Sequence, residues 1–145
     1  IFRMLGAHAG LAGKKVSERA KCEVIDENCE FILAELCLND FYRYKDALSQ
    51  HAVKTLRLEW LDRFLCPHLV ALSKMLLQNK TGTSPDGHPQ YFVGSSLSCA
   101  DLSVFAMLTT VTHHVPGALL CFPVLSQFYE SMKAQDWVRA TRRHL

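Results

Sequence analysis

The chain of 145 residues is long enough for one domain with its own core, and 49% hydrophobic with 21% charged residues is typical of a globular protein. A formal net charge of +2 is too small to predict binding to nucleic acid or to an anionic membrane surface. No apolar run is long enough to span a bilayer, so we expect neither nucleic acid nor a membrane as partner.

The six cysteines form no Cys-x-x-Cys pair, which disfavours a zinc knuckle and a redox dithiol. Their neighbours are helical and apolar, where a free thiol acts as a small hydrophobe, so we predict a reducing compartment, the cytoplasm. The alternative is a secreted disulfide protein, which usually has a smaller and loop-rich chain. Ile1 is not Met and no signal-peptide pattern follows, so we expect the natural N-terminus to lie upstream.

The first part of the chain predicts two helices. Residues 1–9 resemble the end of a helix that Gly10 and Gly13 terminate. Apolar residues at helical spacing then predict a long helix from Ser17, next to Glu18, to about Leu48.

An acidic stripe runs along this long helix, at Glu23, Asp26, Glu27 and Glu30. Such a stripe is most often a solvated face. The sharper interpretation is an interface that pairs with cations such as Arg3, from a second subunit.

Spacings of three and four predict a second long helix from about Gln50 to Gln78. Pro67 lies inside it, lacks a backbone N–H and predicts a kink or break near Phe64–Cys66. The stretch from Asn79 to Gln90 has the Gly, Pro, Ser and Asp content of a loop.

The loop then ends at Gly94, and two helix-start signals follow. Ser98 is placed to cap the helix, and Asp101 to reach back to the Ser98 backbone N–H, which together predict a capping box. Leu97 and Leu102 flank the box as a hydrophobic staple. The helix that follows is apolar on nearly every side, so we predict that it is central.

Val115-Pro116-Gly117 predicts a break, and Phe122-Pro123 opens another helix with proline in its first turn. Its predicted buried face consists of Leu125, Phe128, Tyr129 and Met132. Asp136 is a candidate cap for a last helix containing Trp137, Val138 and Thr141. The whole chain predicts an all-α bundle of about five to seven helices.

Three groups of residues are candidates for a metal site, a nucleophile or a ligand pocket. His113-His114 has no third ligand at helical spacing, and adjacent helical residues point apart, so we expect no metal site. In Cys66-Pro67-His68 the same spacing argument separates thiol from imidazole. The aromatic residues Phe41, Tyr42 and Tyr44 are typical of a core, with one wall of an apolar ligand site as the alternative. The residues alone therefore indicate a helical domain without a self-contained active site.

Taken together and in order, the motifs resemble the glutathione transferase family, most closely its sigma-like and pi-like classes. The motifs are Ile1 to Gly6 with Gly10 to Gly13, then Glu18, Glu23 and Glu27, then Pro67-His68-Leu69 with Leu76 and Asn79, then Gly94-x-x-x-Ser98-x-Ala100-Asp101, and Pro116-Gly117-x-Leu119-x-x-Phe122-Pro123-x-Leu125. The resemblance implies that residues 1–13 are the last helix and linker of a thioredoxin-like domain. Residues 14–145 would then be the all-helical C-terminal domain.

The resemblance implies a dimeric cytoplasmic enzyme of detoxification, with glutathione as co-substrate and no metal, acting on small apolar electrophiles by conjugation or isomerisation. The residue that stabilises the glutathione thiolate would lie in the N-terminal domain, so this segment names no catalytic residue and would be inactive alone. Phe41, Tyr42 and Tyr44 would form the electrophile wall, and Arg3, Glu23 and Glu27 the dimer surface.

The family's partner-subunit carboxylate for the glutathione amino group falls here on Phe31, and Glu30 is the nearest carboxylate. Two other functions remain open. One is a non-catalytic relative that serves as an assembly module, as in translation factors and synthetase complexes. The other is a helical carrier of apolar ligands.

Overall fold

A computed structural model describes residues 2–38, 49–136 and 138, without the side chains of residues 2, 3 and 5. Its helices are α1 (Phe2–His8), α2 (Val16–Leu38), α3 (Gln50–Trp60), α4 (Cys66–Gln78), α5 (Cys99–His114) and α6 (Pro123–Lys133), with a π-helical turn at Leu61–Leu65. Among these residues the only β contact is an isolated bridge between Thr83 and Pro89, so the predicted all-α fold is confirmed. None of the described helices has both the length and the apolar character needed to cross a bilayer.

The core forms where α5 packs along α2, with α4 and α6 closing the other sides. The buried positions of α5 follow spacings of three and four and are Ala100, Asp101, Val104, Met107, Leu108 and Val111. Those of α2 are Cys22, Ile25, Asp26, Cys29, Ile32 and Leu36. Because buried apolar area is the main favourable term in folding, this pair of helices anchors the domain, and α5 is central as predicted.

The proline inside the second predicted helix is accommodated by a wider turn. The Cys66 backbone N–H donates to the Leu61 carbonyl, five residues back, and Pro67 stands in the first turn of α4. A π-helical turn shifts the hydrogen-bond ladder by one residue, so the missing proline N–H interrupts no regular helix. The irregularity predicted near Phe64–Cys66 is therefore this turn.

The start of α2 differs from the prediction by one residue and by its capping group. Its first helical residue is Val16, and the Glu18 carboxylate accepts hydrogen bonds from the backbone N–H groups of Lys14 (2.7 Å) and Lys15 (3.1 Å). These two bonds hold the pKa of Glu18 below its usual value. The predicted continuation to Leu48 passes through residues 39–48, which lie outside the described part.

The prediction of a solvated acidic stripe is wrong for Asp26. Its side chain is buried and accepts a hydrogen bond from the Ser103 hydroxyl of α5. The other three carboxylates, Glu23, Glu27 and Glu30, are exposed as expected. Asp26 lies one helical turn from the buried Cys22 and Cys29, so it shares the side of α2 that faces α5.

The C-terminal elements match the sequence pattern where they are described. Helix α5 ends at His114, and Gly117 has a left-handed φ of 86°, a conformation that favours glycine. Pro123 opens α6, and the buried residues of α6 are Leu125, Phe128, Tyr129 and Met132, as predicted. Most of the predicted last helix lies outside the described residues. Two residues of it are described, Asp136 and Val138, and both are helical.

Candidate functional site

The junction between the loop and α5 is organised by the carboxylate of Asp101. Its Oδ1 accepts the Phe92 backbone N–H at 2.7 Å, while Oδ2 accepts the Ser98 backbone N–H at 2.8 Å and the Ser98 hydroxyl at 2.7 Å. Both halves of a capping box are present at Ser98 and Asp101. The side chain thus caps α5 and also holds a loop residue nine positions upstream.

The Asp101 carboxylate is fully buried, and burial is the main reason that its pKa is raised to about 6. The hydrogen bonds from Phe92 and Ser98 favour the ionised form and oppose this rise. A buried carboxylate with this many protein donors is occupied in holding the backbone. It is therefore a structural group, and nothing near it indicates a catalytic acid.

A second set of polar contacts fixes the loop before the box. The Asn79 side-chain amide donates to the carbonyls of Tyr91 and Gly94, both at 2.8 Å. Gly94 has a left-handed φ of 66°, and a Cβ on Gly82 would lie 2.7 Å from the Gly94 carbonyl oxygen. Leu97 and Leu102, on either side of the box, are half-buried against the core. These contacts fix the angle at which the chain enters α5.

An aromatic cluster, formed by Phe31, Trp60, Phe64 and His68, joins α2 to the π-helical turn and α4. Phe31 lies 5.5 Å from Phe64 and 5.8 Å from His68 between ring centroids, and Phe64 lies 4.8 Å from His68. Phe31 is nevertheless 50% exposed. Phe31, the position at which the resemblance implies a carboxylate, is therefore a ring that packs against Phe64 and His68, beside the exposed Glu30.

Other predicted site residues fall outside the described part of the structure. They are Phe41, Tyr42 and Tyr44, together with the side chain of Arg3. Glu23 and Glu27 lie on the exposed side of α2. The electrophile wall and the dimer surface therefore stay predictions.

The histidine pair at the end of α5 differs from the prediction in one respect. The rings of His113 and His114 do not point apart but meet edge to face, with centroids 5.1 Å apart. Within the described ranges no three His, Cys, Asp or Glu side chains are grouped to hold a metal ion. The pair therefore packs on itself at the helix end.

The described residues form two concave surfaces that the sequence does not predict. A shallow groove of about 560 Å³ lies where α5 and α6 meet the segment that joins them, and Thr112, Leu119 and Tyr129 are among its lining residues. A cavity of about 300 Å³ lies between the α1–α2 linker, α2 and the start of α5. It is lined by Ala7, Gly10, Ala12, Gly13, Arg19, Cys22, Glu23, Asp26 and Cys99. No spacing along the chain indicates this cavity, because its lining residues come from three separate segments.

Comparison with solved structures supports the same fold. The chain superposes on a monomeric glutathione S-transferase of the hookworm Necator americanus, Na-GST-3, with a TM-score of 0.77 at 20% identity, covering 98% of this chain and 64% of that one. A Pi-class glutathione S-transferase of Onchocerca volvulus gives a TM-score of 0.76 at 20% identity, covering 99% and 62%.

Sequence relatives agree. Glutathione S-transferase 1 of Ascaris suum is 27% identical over 135 residues, which cover 92% of this chain and 60% of the relative. Glutathione S-transferase P of Bos taurus is 26% identical over 140 residues, covering 97% and 59%. The chain thus spans about three-fifths of the length of these relatives. Residues 37–140 match the family model of the glutathione S-transferase C-terminal domain, and on this evidence the chain belongs to the glutathione S-transferase family.

Proposed function

We propose that the complete protein is a glutathione transferase, which joins the glutathione thiol to small apolar electrophiles or isomerises them with it. The family match over residues 37–140 carries this proposal. The packing of α5 on α2 and the capped loop junction support it, since they form a rigid base on which a ligand site can be positioned. We further propose that residues 1–13, with α1 at Phe2–His8, are the end of a thioredoxin-like domain and its linker.

The helical domain would contribute the wall against which the electrophile packs. Phe41, Tyr42 and Tyr44 follow the C-terminal end of α2 and precede the Ser49 cap of α3, whose hydroxyl accepts the Ala52 N–H at 3.2 Å. Aromatic side chains suit an apolar substrate because they offer large contact area with few rotatable bonds. The catalytic group that stabilises the thiolate would come from the thioredoxin-like domain.

The outward side of α2 would contribute a dimer surface. Its exposed apolar residues Val24, Phe31 and Leu38 are seven positions apart, and two turns of helix place such residues on one stripe. Glu23 and Glu27 are exposed beside it. Exposed apolar residues along one helix stripe, bordered by charged residues, are typical of an association surface.

A glutathione conjugation assay with a chlorodinitrobenzene electrophile tests the activity. We expect the complete protein to be retained on immobilised glutathione and to turn over the electrophile, and this 145-residue segment alone to do neither. Replacing Tyr44 with Ala should raise KM for the electrophile and leave KM for glutathione unchanged. Failure of the complete protein both to bind glutathione and to conjugate would contradict the proposal and favour the non-catalytic assembly module.

We also propose that Glu30, from the partner subunit, holds the glutathione amino group. It is exposed on α2 next to Phe31, so a neighbouring subunit could approach it. Glu30→Gln should raise KM for glutathione several-fold while kcat stays near its original value, because binding is weakened equally in the ground state and the transition state. Glu59→Gln, which changes an exposed carboxylate on α3, is the control, and equal effects of the two variants would refute a specific role.

The proposed compartment is the cytoplasm. All six cysteines lie in the described part of the chain and are free thiols there, as is usual in a reducing environment. Fractionation of cells that express a tagged complete protein tests this location.

A further inference from the structure

The cavity between the linker, α2 and α5 has two thiols in its wall. Cys22 belongs to α2 and Cys99 is the first residue of α5, and both line the same space of about 300 Å³. They are far apart in sequence, yet the fold places both in the wall of one cavity, and the neighbouring Cys22 raises the pKa of the Cys99 thiol. The glutathione chemistry proposed above uses neither thiol.

The helix packing keeps these thiols together. One helical turn beyond Cys22 lies Asp26, and one turn beyond Cys99 lies Ser103, whose hydroxyl donates to the Asp26 carboxylate. Two cross-helix pairs at the same spacing mean that α2 and α5 run in the same direction here and are fixed in register. The Cys99 backbone N–H also donates to the Leu11 carbonyl at 2.9 Å, which ties the start of α5 to the linker.

The two thiols differ in accessibility. Cys22 is buried, whereas Cys99 is partly exposed at the cavity wall. A small reagent that enters the cavity therefore reaches Cys99 first, with Cys22 in the same cavity wall. By contrast Cys29, two helical turns further along α2, is buried and does not line the cavity.

We propose that Cys22 and Cys99 form a dithiol site that reacts with low-molecular-weight disulfides and closes a disulfide bond between α2 and α5. The Cys99 thiolate attacks one sulfur of the small disulfide, the S–S bond breaks, and one small thiolate leaves and takes up a proton. Cys22 then loses its proton and attacks the Cys99 sulfur, which expels the second small thiol. The protein dithiol is oxidised by two electrons and one small disulfide is reduced to two thiols.

The electrostatic setting makes this reaction slow at neutral pH. Burial, and then the neighbouring Cys22, raise the pKa of Cys99 to about 11, and Asp26 adds to the rise. Arg19 and Glu23 are the other charged groups that line the cavity. The thiolate is the attacking species, so at any pH below that pKa the rate should rise about tenfold for each unit by which the pH is increased.

The test uses a background in which the exposed cysteines Cys37 and Cys121 are replaced by Ser, because they would react independently. This protein is incubated with glutathione disulfide or, in a parallel arm, with a neutral hydroxyethyl disulfide. Intact mass and the number of free thiols after denaturation are recorded. Using two reagents separates this reaction from any specific glutathione binding.

We expect the background protein to lose the mass of two hydrogen atoms and two free thiols with either reagent, reversibly on reduction. Adding Cys22→Ser should stop the reaction at a mixed disulfide on Cys99, and adding Cys99→Ser should abolish it. Cys29→Ser is the matched control and should leave disulfide formation intact. Circular dichroism of each variant shows that it folds.

Three outcomes would overturn the proposal. The first is a background protein that keeps all its thiols or stops at a mixed disulfide. The second is a protein disulfide that still forms in both the Cys22→Ser and the Cys99→Ser variants, which would show that it does not need this pair. The third is loss of the reaction in Cys29→Ser. None of these depends on whether the complete protein is a glutathione transferase.

Discussion

Among single residues, Asp101 fixes the start of α5 and the loop before it. It is buried and accepts hydrogen bonds from two backbone N–H groups and one hydroxyl. A buried donor that loses its acceptor pays its full desolvation cost, so the contribution of this carboxylate is best measured by removing it.

Asp101→Ala should lower the free energy of unfolding by about 2 to 4 kcal/mol, because the N–H groups of Phe92 and Ser98 would be left without an acceptor. Ser98→Ala should cost roughly 1 kcal/mol, the usual value for a lost N-cap. Urea unfolding at neutral pH measures both. Ser96→Ala, at an exposed loop position, is the control and should change stability by less than about 0.5 kcal/mol. Unchanged melting temperatures in both box variants would contradict the assignment.

The pH dependence of stability should also report Asp101. Its pKa is about 6 in the folded chain against an ordinary value of 3.8, so between these two pH values the folded state binds more protons than the unfolded state. The contribution of this group is therefore complete below pH 3.8 and is lost as the pH rises through about 6. A separation of about two pH units corresponds to roughly 3 kcal/mol at most.

Unfolding of the wild type and of Asp101→Asn is compared from pH 4 to pH 8, since other carboxylates contribute equally to both. The stability advantage of the wild type should be larger at pH 4 than at pH 8. An advantage that grows with rising pH would show that the native pKa of Asp101 is lowered and not raised.

Among the helices, α5 lies at the centre of the core, and one matched pair of leucine substitutions tests this position. Leu108 is fully buried on α5, whereas Leu120, in the segment that follows, is 86% exposed. Leu108→Ala should cost about 2 to 5 kcal/mol through lost burial and the cavity left behind. Leu120→Ala should stay within about 0.5 kcal/mol of the wild type. Denaturant midpoints at constant m-value measure the difference, and equal losses would argue against the central position of α5.

The ends of the elements show which local signals can be read without the fold. Pro123 in the first turn of α6 and the box at Ser98 act within four residues, so their effect is visible in the sequence. The sequence predicts the start of α2 at Ser17, one residue late, and the Glu18 carboxylate accepts the backbone N–H groups of Lys14 and Lys15 just before the helix. The π-helical turn before Pro67 likewise needed the structure, because a proline can be accommodated by a kink, a break or a wider turn.

At the scale of the whole molecule, the apolar stripe of α2 predicts self-association. Val24, Phe31 and Leu38 are 58%, 50% and 73% exposed. Val24→Lys and Leu38→Lys should each weaken any dimer at least about tenfold, which corresponds to roughly 1.4 kcal/mol. Sedimentation equilibrium at several concentrations measures the effect.

Val16→Lys, at an exposed position of α2 off the stripe, is the control and should associate like the wild type. One solved relative, Na-GST-3, is monomeric, so the oligomeric state is measured directly and not assumed. A monomeric wild-type complete protein, or unchanged association in both stripe variants, would contradict the dimer surface.

Local patterns in the sequence were enough to predict the all-α class, the order of the described helices, the buried face of α6 and the family. These depend on periodicity and on capping residues, which act over a few positions of the chain. Helix packing was needed to show that Asp26 is buried against Ser103 and that Cys22 and Cys99 line one cavity. Such contacts join residues about 77 positions apart, and no local pattern encodes which faces of two distant helices will pack together.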